Sequence, residues 1–350
     1  LSDTEKSAPV FRCAELSERG RILDFINQNF DWKLPLVNRP EWFTHYYCGE
    51  QLQFVVAERG GRLLAVCGYI LANHSDTPDI WASVWVAVKG ENGVGLELMN
   101  ALPALTHARL VACNNIRANT CVLYRFLGWE AARIPHYYRL APRPCAAAYR
   151  LAKPAVPAGA DPNVFCPVIL PVSGDLVLDR VSTVTRLEGL GLPPTPHTPH
   201  KDLWYLTRRY FDFPHLAYDV WSIHEKGRLL AYLVTRTVQS GAHGEIAVLR
   251  LVDFIGEDAI LPRIGAALDG LLQTAGAEYA ECYCAGIPAA VFAAAGFSER
   301  KEGDGTIIPN YLTPPLLENT EYYYFTSAPA QFVLFKADGD QDRPNLPAEK

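Results

Sequence analysis

Apolar positions along the chain switch between a period of two and a period near 3.6, the signatures of strands and of amphipathic helices. Val10–Leu16 reads as a strand, Arg21–Asn29 as a helix carrying Ile22, Leu23, Phe25 and Ile26, and Glu41–Tyr47 as a short aromatic helix behind Pro40. Gln53–Glu58 and Arg62–Leu71 are predicted strands joined at Gly60-Gly61, a dipeptide suited to a tight hairpin. Trp81–Val88 is a strongly β-type run, and Gly93–Leu105 has helical spacing, with Leu96, Met99, Leu102 and Leu105 on one face. Leu110–Cys113 is a short strand, Asn119–Leu127 a helix ended by Gly128, and Trp129–Leu140 one or two closing strands.

The second half repeats this order. Gly61-Arg62-Leu63-Leu64-Ala65 recurs 166 residues later as Gly227-Arg228-Leu229-Leu230-Ala231, and Gly90-Glu91-Asn92 recurs at the same offset as Gly256-Glu257-Asp258. Gly128-Trp129 recurs as Gly296-Phe297, 168 residues on. Three landmarks in one order at nearly one offset predict two copies of one fold. Prolines and alanines crowd Arg143–Pro167, where they block regular elements. The expected division is a first domain over 1–145, a linker over 146–167 and a second domain over 168–350, within an α/β (α+β) class.

Composition narrows the function. Of 350 residues, 49% are apolar and 20% charged, enough to build packed cores, and the net charge of −6 argues against a basic nucleic-acid surface. No apolar run reaches the roughly 18 residues of a membrane span. Leu1–Val10 is polar and lacks the shape of a signal peptide. Nine cysteines without a CxxC pair read as reduced, mostly buried thiols of a cytoplasmic protein. His197-Thr198-Pro199-His200 has an HxxH look but no companion ligands at useful spacing, so no metal site is expected. The tail from Asp338 to Asn345, with Asp338, Asp340 and Asp342, reads first as a solvated segment and second as a polar strap folded into a cleft between the two copies.

One junction carries chemistry. Val84-Trp85-Val86-Ala87-Val88 feeds Lys89-Gly90-Glu91-Asn92-Gly93-Val94-Gly95 and then a helix. Unpaired N–H groups at a helix start attract phosphate, and Gly93 and Gly95 have no Cβ to keep it away. Downstream come Asn114 at a strand end, Asn119 at a helix start, and Tyr124 four residues before Gly128-Trp129. With these motifs, residues 10–140 resemble the GNAT superfamily of acyl-CoA-dependent N-acyltransferases. Gly90 departs from that family's loop, which has Arg or Gln there.

The resemblance implies two tandem GNAT-like domains, each a mixed, mainly antiparallel sheet flanked by helices. It implies acetyl-CoA or another acyl-CoA as co-substrate, held by Val86, Val88, Lys89, Gly90, Asn92, Gly93, Val94, Gly95, Asn114 and Asn119. Tyr124 falls on the family's general acid, and Asp79 and His74 are the positional candidates for the base. The second copy has Ala259, Leu261 and Phe292 where the first has Gly93, Gly95 and Tyr124, so it is expected to be a scaffold that walls the acceptor site. The cofactor loop, strand and Tyr124 all precede the linker, so the thioester site is expected to be complete in the first half. The acceptor implied is a small primary amine, an amino sugar (often nucleotide-linked) of surface-polysaccharide synthesis. A Fem-type aminoacyl transferase and a non-catalytic acyl-CoA or metabolite binder are the alternatives.

Overall fold

The computed structural model describes residues 7–30, 33–142, 176–240, 246–303, 305–312, 316 and 318–344. The predicted linker 146–167 lies outside the described residues. In chain order the first half has β1 (Val10–Cys13), α1 (Arg19–Asn29), α2 (Pro35–Asn38), α3 (Pro40–Tyr47), β2 (Phe54–Arg59), β3 (Arg62–Leu71), β4 (Asp79–Ala87), α4 (Val94–Leu105), β5 (Leu110–Ile116), α5 (Cys121–Phe126), β6 (Glu130–Arg133) and β7 (His136–Leu140). The second has β8 (Val177–Val181), α6 (Val184–Leu190), α7 (Leu203–Tyr210), β9 (Asp219–Glu225), β10 (Arg228–Ser240), β11 (Ile246–Gly256), α8 (Gly265–Thr274), β12 (Ala277–Ala285), α9 (Ala289–Ala294), β13 (Ser298–Glu299), β14 (Tyr323–Thr326) and β15 (Leu334–Phe335).

Local chemistry accounts for the boundaries. Gly60 and Gly61 take φ of 55° and 77°, the left-handed pair that turns β2 into β3. Proline at the first position of α3 supplies a preset φ where no N–H is needed. Asp202 caps α7 by accepting from the Tyr205 N–H at 2.8 Å.

The strands form two mixed, mainly antiparallel sheets flanked by helices. The first runs β1-β2-β3-β4-β5-β14-β6 and the second β13-β7-β12-β11-β10-β9-β8. Read from β1 and from β8, the two orders are the same, and in both the fourth and fifth strands, β4·β5 and β11·β12, pair in parallel. Each sheet takes one strand from the other half of the chain. β7 lies between β12 and β13, and β14 lies between β5 and β6. An apolar cluster running from Ile22, Trp42 and Trp81 to Tyr210, Tyr232 and Leu334 joins the two units, and each has a further cluster around its own helix α4 or α8. No described helix is long and apolar enough to cross a membrane.

β15 is short because the backbone before it bonds to the Thr198 loop. One expectation is corrected. The tail is not solvated: Asp338 is wholly buried and Asp342 nearly so, among partners from both halves. Lys201 Nζ holds Asp253 at 2.7 Å and Asp338 at 2.8 Å. Arg209 donates to the carbonyls of Ala337 at 2.8 Å and Gln341 at 2.6 Å, and Arg236 makes a bidentate pair with Asp342 at 3.1 and 2.6 Å. Burial, working against the Lys201 charge, pushes the Asp338 carboxyl up to about 6. A segment this polar enters an interior only because its charges and carbonyls find partners there.

Candidate functional site

β4 and β5 pair only over Asp79–Trp81 and Leu110–Ala112, after which the register ends and each continues alone toward its C-terminus. The separation has a local cause. β4 stays on β3 through a bulge, since Ser83 and Val84 both stand between pairs at Ala82 and Trp85, opposite Gly68 alone. β5 instead follows β14. Gly68 is needed at this point, because a Cβ would come within 2.9 Å of the Tyr47 ring and 3.0 Å of Phe54. One edge of β4 past the bulge is thus left facing a wedge. The Val88 N–H donates to Leu64 O at 2.9 Å, so by antiparallel alternation Val88 and Val86 turn their backbone groups toward β3. Trp85 and Ala87 turn theirs into the wedge.

At the mouth, Gly90 and Gly93 take φ of 95° and 89°, and Gly93 is the N-cap of α4. A Cβ on Gly90 would meet nothing, and one on Gly93 only Glu97 Oε1 at 3.5 Å, so the turn presents bare backbone to solvent. Asn92 beside them is exposed, and Val94 is buried as the first residue of α4. Gly95 does different work: its Cβ would press on Ala87 Cβ at 3.1 Å and the Trp85 ring at 3.4 Å, so it lets α4 close onto β4. Lys89 is exposed beside Gly90. In the second copy the matching Ala259–Leu261 lies in a 3₁₀ turn with Leu261 buried, and the α-helix starts only at Gly265.

Tyr124 reaches the wedge from α5. Its ring stacks on Phe325 of β14 at 4.0 Å and lies 6.2 Å from Trp85. Burial raises its phenol above the ordinary range, which keeps it protonated. At the apex, Ser83 Oγ donates to Asp340 Oδ2 at 2.6 Å and stands 2.7 Å from Tyr47 OH. Arg343 pairs with Asp340 at 3.2 Å. The wedge, formed by strands of the first half, therefore takes Phe325 and Asp340 from the end of the chain.

The remaining sequence candidates are scattered or occupied. Asp79 is fully buried at the start of β4, held by Arg109 at 2.9 and 2.6 Å and by the His200 N–H at 2.6 Å. It is four residues, roughly 13 Å of strand, from Ser83. His74 is exposed, with its ring 3.8 Å from Trp204. Neither meets Tyr124. Asn114 is buried and its Nδ2 points to the tail carbonyls of Phe335 at 3.1 Å and Asp338 at 3.0 Å, so it anchors the strap. Asn119 is exposed in the 3₁₀ turn before α5. His197 pairs with Asp258 at 2.8 Å. Sequence reasoning passed over Ser83, Tyr47 and Phe325 as ordinary strand and core residues. The only signal for Asp340 was its place among alternating aspartates beside an apolar run.

No protein-family model and no curated protein sequence matches the chain. Among solved structures it is similar to a GCN5-related N-acetyltransferase from Anabaena variabilis, at 10% identity and a TM-score of 0.49, over 91% of this chain and 72% of that one. It is similar to a probable N-acyltransferase from Enterococcus faecalis at 12% identity and 0.47, covering 91% and 72%. It is also similar to the N-myristoyltransferase of Saccharomyces cerevisiae with bound myristoyl-CoA, at 9% identity and 0.41, covering 93% and 86%.

Proposed function

We propose that the protein moves an acyl group, acetyl in the simplest case, from acyl-CoA to the primary amine of a small acceptor, with an amino sugar as the acceptor class. The wedge between β4 and β5, with a bare glycine turn at its mouth, carries this reading: it is a strip of unpaired backbone leading from a phosphate-sized cradle to a cluster of proton-handling side chains. The turn at Gly90–Gly93 and the α4 N-terminus would hold the pyrophosphate, and the Trp85 and Ala87 backbone the pantetheine. Acyl-CoA supplies the activated acyl group. An N–H of the open β4 edge faces the acyl oxygen and takes up its charge as the amine attacks. Asp340, oriented by Ser83 and Arg343, accepts the amine proton. Tyr124 donates its proton to the departing sulfur.

The test is thiol release from acetyl-CoA with a panel of primary amines. Asp340→Asn keeps an acceptor for the Ser83 hydroxyl but removes the base, so kcat should fall about 10²–10⁴-fold with acetyl-CoA affinity unchanged. Absence of both acetyl-CoA binding and thiol release in the wild-type chain would sink the proposal; binding without release would make it a binding protein.

Gly93→Leu tests the cradle. The left-handed φ makes any side chain there strained by about 1–3 kcal/mol, which a folded surface turn tolerates. Losing one charged hydrogen bond costs roughly 1.5–3 kcal/mol, so acetyl-CoA affinity should drop about 10- to 100-fold. Unchanged affinity in a titration would take the turn out of the binding site.

A further inference from the structure

A cavity of about 720 Å³ lies between the two units beside the apex of the wedge. Asn115 of the first half, Arg236, Arg250 and Asn310 of the second, and Lys336 and Arg343 of the tail contribute to its wall. Its size falls within the roughly 300–1,000 Å³ of small-molecule sites. Three of its four cations are already matched. Arg236 pairs with Asp342, Arg250 with Glu281, and Arg343 with Asp340.

Lys336 is different. It is more than nine-tenths buried, lies 4.7 Å from the Tyr283 ring centre and 4.8 Å from that of Tyr322, and donates to Asn310 Oδ1 at 2.6 Å. Among the described residues no carboxylate stands at ion-pair distance from it. An ammonium bonded to an amide oxygen and flanked by two aromatic faces, with Glu281 and Asp342 acting on it only from beyond ion-pair distance, is under-compensated for its burial. Burial, reinforced by the Arg250 charge and only partly offset by Glu281 and Asp342, brings its pKa down to about 7.

We infer that Lys336 is the anchor for an anionic group, carboxylate or phosphate, on the acceptor whose amine is acylated at Asp340. The inference rests on the proposed acyl transfer and deepens it. Lys336 and Asp340 are four residues apart, so their Cα atoms are at most ~14 Å apart. A sugar-sized amine can bridge that distance. Asn115 Nδ2 meets Gln341 Oε1 at 3.3 Å, and both line the cavity together with Lys336, so the residue that follows Asp340 stands on the same wall as the lysine. An anion seated at Lys336 would keep the ammonium charged and complete its pairing.

The experiment has two parts. Calorimetric titration of the chain without acyl-CoA uses glucosamine, glucosamine 6-phosphate, glucosaminate and inorganic phosphate; the phosphate and carboxylate arms tell the two anions apart. At least one anion should bind more tightly than glucosamine, and Lys336→Met should lose that preference while Lys336→Arg keeps most of it. In thiol-release assays, the kcat/KM ratio of the anionic amine over glucosamine should fall about 10- to 100-fold in Lys336→Met, the range of a lost charged hydrogen bond. Thermal unfolding checks that the variant is folded. No anion preference in the wild-type chain, or a ratio unmoved in a folded Lys336→Met, overturns the inference. Anion binding without thiol release from any amine leaves the Lys336 site in place and defeats acyl transfer alone.

Discussion

Residues 1–145 expressed alone should fail to reach a cooperative native state. The first sheet of that fragment lacks β14, so β5 and β6 lose the strand between them and both present open edges. Phe325, fully buried and stacked on Tyr124, goes with it. Truncating one such ring costs about 3–5 kcal/mol, and a whole domain has only about 5–15 kcal/mol to lose. The fragment also carries β7 with no sheet to join, exposing Tyr137, Tyr138 and Leu140 along an unpaired strand, a template for aggregation. The expected result is an aggregated or molten product without a sharp thermal transition. Co-expression with residues 168–350 should restore a folded complex, since each fragment then supplies the strand the other needs. A monomeric, cooperatively melting fragment 1–145 would contradict the strand exchange.

Tyr124→Phe is expected to lower kcat about 10²–10⁴-fold, the usual contribution of a positioned acid. The change is narrow. The ring stays on Phe325 at 4.0 Å and near Trp129 at 6.4 Å, so packing is retained. The loss to stability is limited to the hydroxyl's bond with Thr120, about 1 kcal/mol. Because burial raises the phenol's pKa, Tyr124 remains a proton donor through neutral and mildly alkaline pH. The wild-type rate should therefore show no fall attributable to this group below about pH 10, where a free tyrosine ionises. Rapid-mix assays of thiol release across pH 6–10 for both forms check this. Full turnover in Tyr124→Phe would assign protonation of the sulfur to another donor.

The glycine turn and Tyr124 were legible in the chain because they are local. A β-run feeding Gly90–Gly95 has to reverse direction and open a helix, and residues with φ near +90° at Gly90 and Gly93 are what such a turn requires. The residue proposed here as the base was not legible. Asp79 and His74 stand next to β4 in sequence, but Asp79 is closed off by Arg109 and His74 packs on Trp204. Asp340 is 257 residues from the Ser83 it meets, and no periodicity encodes that distance. The tail misled for a related reason. Aspartates alternating with glycine and glutamine resemble solvated chain, and partners distant in sequence, among them Lys201, Arg209, Arg236 and Asn114, make the burial of this segment favourable.

The sequence by itself determined the two-copy α/β plan, most strand and helix positions, the glycine turn before α4 and its loss from the second copy. These follow from hydrophobic period, turn chemistry and side-chain size, which act over a few residues. Tertiary structure alone decided that the copies exchange β7 and β14, that the tail threads between them, that Asp340 meets Ser83, and that Lys336 lines a cavity with residues of both halves. Hydrophobic period alone does not say which of two sheets of the same order a strand joins. The choice is made by connection and by shared burial across the interface, quantities that exist only once both halves have folded together.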